Sequence, residues 1–219
     1  MSEVLPRNPE QNHEQRSISF VLCEHTPENY DAIIGALPTD GPSVVAIETL
    51  GGSPAARTAS EATINAYIAG EDTIEASELH GFDGKLAQAL RGSDTVVRYI
   101  DAGDGTPEYA AVQAAKKARL AYRAITSDPE AGDIIRNLAR ERYATTFQQA
   151  NAAREALVAR QLTQLQAEYD DRQLTAVLGA VHAPIAEAFS ADSPELTYIQ
   201  NGQVVDTIQY SEELQSILA

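Results

Sequence analysis

Cysteine is nearly absent from this sequence, since Cys23 is the only one among 219 residues. A single cysteine cannot form a disulfide within the chain, which suits a reducing compartment. Residues 1–16 are polar, show no hydrophobic periodicity and lack the apolar core of a secretory signal. We therefore expect a disordered arm over residues 1–16, a single domain over residues 17–219 and a cytoplasmic location.

Long apolar runs are also missing, although 43% of the residues are hydrophobic. No run reaches the roughly 18 apolar residues that a membrane-spanning helix needs, and the mean hydropathy is −0.27. The composition therefore predicts a chain that can build a hydrophobic core and has no membrane span.

Basic residues are scarce, with 16 lysines and arginines against 32 aspartates and glutamates. The net charge of −16 repels phosphate backbones, so we expect no nucleic-acid partner. The same charge would attract cations, although solubility alone is a sufficient reason for an acidic surface.

Four short apolar runs stand out, and each is followed by a side chain that can bind a metal or carry a proton. They are residues 17–23 before His25, 43–47 before Glu48, 95–100 before Asp101, and 174–182 ending in His182. Runs of this kind are typical of buried strands. Because the carboxyl ends of parallel strands form the ligand crevice of an open α/β sheet, we expect these side chains at one rim.

Helical segments between these runs predict an α/β fold with a central, mostly parallel sheet and flanking helices. A helix over residues 27–37 would join the first two strands into a parallel βαβ unit. Further helical character lies at residues 61–69 and 85–91, with Gly81 to Gly84 as a break, and a helix should run from Pro107 to about residue 126.

The second half of the chain predicts one long helix, or two abutting ones, from Asp128-Pro129 to about residue 170, because strong helix formers fill it. The apolar run that begins at residue 174 should follow as a strand, and a short helix should then cover residues 184–190. Asn201-Gly202 between alternating runs predicts a C-terminal β-hairpin. Its exposed strand is a possible edge for a homodimer.

His25 and His182 are the first candidates for chemistry, because two imidazoles with carboxylates make a hydrolytic site for a divalent ion. Glu48 and Asp101 are the candidate carboxylates. Each is either a metal ligand or general base, or a group that caps a helix or forms a turn. Arg154 is either a solvated charge on a helix or a group that holds a carboxylate or polarises an oxygen.

In this order, the motifs resemble those of the TraB/Tiki superfamily. The resemblance rests on FVLCEH ending in His25, VVAIE ending in Glu48, Ala153-Arg154-Glu155, and the strand that ends in Gly179-Ala180-Val181-His182. It implies a mixed α/β domain whose site consists of His25, Glu48, Arg154 and His182, with Asp101 near. The chain departs from the family's motifs at Leu22, Ala153, Glu155 and Val181.

The superfamily and its relatives include metal-dependent peptidases, haem-binding proteins and erythromycin esterases. Our first hypothesis is a metal-dependent hydrolase, most simply a peptidase, that acts on a peptide or small-molecule substrate. His25, His182 and Glu48 or Asp101 would hold one divalent ion, manganese, cobalt or zinc, and Arg154 would steady the oxyanion.

Two alternatives remain open from the sequence. The second hypothesis is a metal-free hydrolase like the erythromycin esterases, in which a histidine activates water directly and a glutamate orients it. The third is a binding protein for haem, an anion or a peptide that keeps the fold without turnover. The departures from the family's motif near His25 favour this third hypothesis.

Overall fold

The computed structural model of the protein describes residues 17–38, 40–71, 79, 81–189 and 195–218. The predicted N-terminal arm lies outside these residues. Among them, no helix combines the length and the apolar character that crossing a bilayer requires.

In the described part of the chain six strands form one sheet, and the four apolar runs of the sequence supply four of them. The strands are β1 (Ser19–Cys23), β2 (Ser43–Glu48), β3 (Thr95–Ile100), β4 (Gln173–Gly179), β5 (Leu196–Gln200) and β6 (Gln203–Val205). Their order across the sheet is β3-β2-β4-β1-β5-β6. All neighbours are parallel except β5 and β6, which form the C-terminal hairpin. The predicted α/β fold and its mostly parallel sheet are therefore confirmed.

The predicted pairing of the first two strands is wrong in one respect. β1 and β2 run parallel, but β4 lies between them, with Val177 opposite Val21 on one side and Ile47 on the other. Strand order depends on how distant segments pack, which the local pattern does not encode. As a result, the carboxyl ends of β2, β4 and β1 are neighbours at one rim.

Helices cover both faces of the sheet. They are α1 (Tyr30–Gly35), α2 (Pro54–Ile68), α3 (Gly81–Leu90), α4 (Pro107–Ser127), α5 (Asp133–Glu168), α6 (Ala183–Phe189) and α7 (Glu212–Leu218). The first three pack on the face that carries Val45 and Val177, while α5 and α6 pack on the opposite face against Leu22 and Leu178. These two apolar layers hold the sheet between helices.

The long helix predicted for the second half is confirmed as α5, a single helix of 36 residues. It begins at Asp133 rather than at Asp128-Pro129. At 1.5 Å per residue it is about 54 Å long. α4 pairs with α5 as a helical hairpin, and α7, which the sequence analysis did not predict, packs on both helices through Ile217.

Two predicted helix boundaries are wrong, and both have a local cause. α2 begins at Pro54 because the Ser53 hydroxyl accepts a hydrogen bond from the backbone N–H of Ala56 and caps the helix. α3 begins at Gly81, where a break was predicted. Gly84 packs against the preceding loop, since a Cβ there would lie 2.5 Å from the carbonyl oxygen of Leu79.

Side chains of α2 cover the outer edge of β3. Asn65 Nδ2 donates to the carbonyl of Val97 at 3.0 Å, and Asn65 Oδ1 accepts from the backbone N–H of Val97 at 2.7 Å. The backbone N–H of Tyr99 donates to Glu61 Oε1 at 2.6 Å. Together Asn65 and Glu61 supply three of the hydrogen bonds that a further strand would otherwise make.

Candidate functional site

Three neighbouring strands bring Glu48, His182 and His25 to one rim of the sheet. Glu48 is the last residue of β2, His182 ends a short 3-10 turn directly after β4, and His25 follows β1 by two residues. Nε2 of His182 lies 3.5 Å from Oε1 of Glu48, and Nε2 of His25 lies 4.0 Å from Oε2. The structure thus places the two imidazoles on either side of one carboxylate.

Glu48 is fixed by donors on both of its oxygens. The backbone N–H of Gly179 donates to Oε2, and Nη2 of Arg154 donates to Oε1. Gly179 can approach this closely because it has no side chain: a Cβ there would lie 3.1 Å from Oε2. Burial alone would raise the pKa of Glu48, but His182, Arg154 and His25 outweigh it and lower the pKa to about 2.

Arg154 reaches the site from the middle of α5 and is buried, so it is not the solvated charge that one reading of the sequence allowed. Its Nε lies 3.1 and 3.0 Å from the two carboxylate oxygens of Asp101. Burial would lower the pKa of Arg154, but Asp101 and Glu48 raise it, so the guanidinium stays charged. Arg154 therefore joins the two buried carboxylates.

The backbone of Asp101 has a conformation that non-glycine residues rarely adopt, with φ at +94°. Two side chains bind this backbone and hold it in place. Nη1 of Arg57 donates to its carbonyl at 2.8 Å, and its N–H donates to Gln161 Oε1 at 2.7 Å. A buried residue in this region costs on the order of 1–3 kcal/mol of strain, which the surrounding contacts offset. The conformation turns the Asp101 carboxylate toward Arg154.

His182 is fully buried between two carboxylates. Its Nδ1 lies 3.7 Å from Glu155 Oε1, and neither ring nitrogen makes a hydrogen bond with any described residue. Burial would lower the pKa of His182, but the attraction of Glu155 and Glu48 outweighs it and raises the pKa to about 9. The imidazolium of His182 therefore counterbalances the negative charge behind the site at neutral pH.

His25 differs from His182 in both exposure and charge. Its side chain is 34% exposed, and desolvation by the surrounding protein lowers its pKa despite the opposing attraction of Glu48. At neutral pH His25 is therefore a neutral imidazole that solvent can reach. It can accept a proton, whereas the protonated His182 cannot.

A cleft of about 450 Å³ opens beside His25. Its lining includes Arg154 and Glu48 of the site, together with Leu50, Phe82 and Asp83. The hydroxyl of Tyr99 donates to Asp83 at 2.6 Å, and burial raises the pKa of Asp83. The sequence analysis missed Phe82 and Asp83, because the glycines that flank them indicated a loop.

The donor set for a divalent ion is smaller than the sequence suggested. Both oxygens of Asp101 accept from Arg154, so this pairing does not favour the predicted metal role of Asp101. His25, Glu48 and His182 are side chains of the types that bind such an ion, but Glu48 also accepts from Arg154 and Gly179, and His182 would have to lose its proton. Over residues 17–38, 40–71, 79, 81–189 and 195–218, however, no three His, Cys, Asp or Glu side chains are arranged as a metal site.

Cys23 takes no part in the chemistry of this site. Its thiol is fully buried, with Sγ 3.9 Å from the carbonyl oxygen of Leu178. Burial and the nearby charge of Glu48 raise its pKa to about 12. A thiol that stays protonated is a poor nucleophile, so Cys23 packs as a small apolar residue.

Comparisons with protein-family models, with curated proteins and with solved structures find no match to this chain. The TraB/Tiki resemblance therefore rests on the sequence motifs alone and stays a prediction.

Proposed function

We propose that the protein is a hydrolase in which His25 acts as a general base on water, without a resident metal ion. The observation that carries the proposal is the neutral, accessible imidazole of His25 4.0 Å from Glu48, at the mouth of a cleft. Gly179 and Arg154 fix the carboxylate of Glu48. A base and an orienting group in fixed positions are the two parts that water activation needs.

The distance between His25 Nε2 and Glu48 Oε2 suits one water that donates a hydrogen bond to each. A carboxylate oxygen can accept two hydrogen bonds, so Oε2 can bind this water while it accepts from Gly179. As the water oxygen attacks a substrate carbonyl, its proton moves to His25. The proton then passes to the leaving alcohol or amine when the carbonyl bond to that group breaks.

Arg154 supplies the positive charge that lines the cleft. It lines the cleft and stays charged because Asp101 and Glu48 hold its guanidinium. A fixed cation close to the reacting carbonyl stabilises the negative oxygen that develops there. The proposal therefore gives Arg154 the oxyanion role, while Asp101 positions Arg154.

The substrate class follows from the cleft. Ile47, Leu50 and Phe82 give it apolar walls, which would bind the acyl or alkyl part of a small ester or of a peptide side chain. We also propose that the chain is a TraB/Tiki-superfamily member of the esterase type and that it is cytoplasmic. The order of the sequence motifs and the single cysteine support these two statements.

Hydrolysis of p-nitrophenyl esters and fluorogenic peptides by the full-length protein tests the proposal. We expect turnover that persists in EDTA, disappears in His25→Ala and survives in Glu24→Ala, which removes the exposed neighbouring side chain. No turnover, together with a ligand that co-purifies, would instead support the binding protein. Turnover unchanged in His25→Ala would refute the general base.

A second candidate, the metal-dependent hydrolase, is favoured by the two ring nitrogens of buried His182, which have no hydrogen-bond partner among the described residues. His25, Glu48 and His182 would hold the ion, which would lower the pKa of a bound water. Metal analysis by plasma mass spectrometry separates the candidates. Stoichiometric metal that is lost in His182→Ala, with activity lost in EDTA and restored by Mn²⁺, Co²⁺ or Zn²⁺, would replace the metal-free proposal.

A further inference from the structure

The distal end of the helical hairpin formed by α4 and α5 has a charge opposite to that of the rest of the protein. This hairpin tip, residues 116–142, contains seven of the 16 lysines and arginines but only four of the 32 acidic residues. Its net charge is +3, against −19 for the remainder of the chain. The basic residues are Lys116, Lys117, Arg119, Arg123, Arg136, Arg140 and Arg142.

The hairpin tip also carries exposed aliphatic side chains. Ile134 is 77% exposed, Leu120 68%, Leu138 60% and Ile135 53%. On α5, Ile134 and Leu138 are four residues apart and Arg142 follows four residues later, so they lie along one stripe of the helix. Exposed aliphatic residues in line with a basic one form an amphipathic surface.

The distal part of the hairpin tip projects from the body of the protein, while its base, at Ala118 and Tyr122, packs against α7. Tyr143, which packs on Ala118 and Ile217, is the last residue toward the tip of α5 that belongs to a described apolar cluster. Ten further residues of α5 extend about 15 Å beyond it. Ile134 precedes Arg154 by twenty residues on the same helix, which sets them about 30 Å apart.

We propose that the hairpin tip binds to the surface of an anionic membrane. Nucleic acid would match the basic residues but offers no apolar medium for Ile134 and Leu138. A lipid bilayer offers anionic headgroups above an apolar interior, which matches both. The acidic remainder of the chain is repelled by the same surface, so only the hairpin tip can approach it.

A second copy of the chain is a weaker match. In a symmetric dimer the hairpin tips would meet each other, and +3 would oppose +3. A head-to-tail contact between a tip and an acidic body would attract, but such contacts continue from copy to copy unless they close into a ring. An anionic membrane would contact both the basic side chains and the apolar stripe of the hairpin tip at the same time.

The ion pairs of the hairpin tip set the expected strength of binding. Arg119 and Arg123 both pair with Glu213 of α7, so much of their charge is already compensated. Lys116, Lys117, Arg140 and Arg142 are exposed and supply most of the attraction, which four acidic residues in the tip reduce. We therefore expect moderate affinity that falls steeply as salt rises above about 0.1 M.

The absence of tryptophan from the chain allows a direct test with the full-length protein. Ile134→Trp creates a single reporter at the hairpin tip, and Val204→Trp, at a side chain 66% exposed on β6, is the matched control. With vesicles of phosphatidylcholine and roughly 30% phosphatidylserine, we expect a blue shift for Ile134→Trp only. Vesicles of phosphatidylcholine alone should give no shift.

Sedimentation with the same vesicles tests the two components separately. Ile134→Gln/Leu138→Gln and Arg140→Glu/Arg142→Glu should each weaken binding about tenfold or more, while Val204→Gln and Lys85→Glu should leave it unchanged. These residues are at the surface, and circular dichroism checks that each variant is folded.

Failure of the wild-type protein to bind anionic vesicles would overturn the proposal. The proposal would also be overturned if the wild-type protein self-associates, does not bind vesicles, and loses the self-association in Ile134→Gln/Leu138→Gln. Membrane binding by the hairpin tip does not depend on hydrolase activity at the cleft.

Discussion

Arg154 and Asp101, which are 53 residues apart in sequence, form a buried ion pair behind the cleft. Nε of Arg154 lies 3.1 and 3.0 Å from the two oxygens of Asp101, and the guanidinium also donates to Glu48. Arg154 therefore pairs with two buried carboxylates, and protonated His182 adds a second positive charge beside Glu48.

Arg154→Met should destabilise the protein by about 3–5 kcal/mol, because it leaves Asp101 buried without its cation and Glu48 with His182 alone. Urea unfolding followed by circular dichroism measures the change. Arg154→Met/Asp101→Asn should recover part of the loss, since one uncompensated charge is removed as well.

Arg160→Met is the control on the same helix. Arg160 is largely exposed and pairs loosely with Glu108, so its loss should cost less than about 1 kcal/mol. Equal costs for the two arginines would contradict the prediction.

Gly179→Ala should reduce activity while the protein stays folded. The backbone at Gly179 has φ −58° and ψ 140°, which any residue can adopt, so the strand itself tolerates alanine. The new Cβ would lie 3.1 Å from Oε2 of Glu48 and would displace the carboxylate. A shift of this kind costs on the order of ten- to a hundredfold in rate. The rate of ester hydrolysis by Gly179→Ala measures this loss. Gly132→Ala is the control, because a Cβ at Gly132 meets open space. An unchanged rate in Gly179→Ala would show that activity does not depend on the present position of Glu48.

The pH dependence of stability should follow the pKa values of His182 and Glu48. The folded pKa of His182 is raised from 6.5 to about 9, so its contribution is complete below about pH 6.5 and is lost as pH rises through 9. The folded pKa of Glu48 is lowered from 4.5 to about 2, so its contribution is complete above about pH 4.5 and is lost as pH falls toward 2. Both contributions are complete together only between about pH 4.5 and 6.5.

Urea unfolding of the wild-type protein and of His182→Gln between about pH 6 and 10 tests this dependence. The wild-type protein should lose on the order of 3 kcal/mol across this range. His182→Gln, which cannot titrate, should show a flatter profile. Parallel profiles for the two proteins would mean that the pKa of His182 is not raised by folding.

The pH dependence of activity should report His25 instead. Burial lowers the pKa of His25 below 6.5, and only the neutral imidazole can accept a proton. The catalytic efficiency should therefore rise with pH through a midpoint below 6.5 and level off toward neutral pH. A midpoint above 6.5 would show that His25 is not the titrating base, or that Glu48 raises its pKa more than burial lowers it.

Asn65→Ala should destabilise the protein by about 1–3 kcal/mol, because it removes both partners of the Val97 backbone at the edge of β3. Thr63→Ala is a suitable control, since Thr63 is half-buried on the same helix and its hydroxyl donates to the carbonyl of Ala59 within that helix. Urea unfolding compares the two variants. A loss in Asn65→Ala no larger than that in Thr63→Ala would show that water replaces the amide without cost.

The rim of the site was predictable from the sequence because each strand is a short apolar run that ends next to a polar side chain. That local pattern located His25, Glu48, Asp101 and His182. It did not show that β4 lies between β1 and β2, since strand order depends on distant packing. The helical pattern did not show the burial of Arg154, because the other arginines of α5 are exposed or half-buried; only the resemblance of motifs placed Arg154 at the site. Phe82 and Asp83 were missed because Gly84 makes a close contact with Leu79 rather than a break.

The hydrogen bonds between β3 and the side chains of Asn65 and Glu61 bear on assembly. Among the described residues the other edge of the sheet is β6, which is three residues long. Two molecules paired through β6 would cover this edge in both copies, so a further strand would have to add at β3, where Asn65 and Glu61 already bind the backbone. The occupied groups at β3 therefore disfavour growth of the sheet beyond a pair.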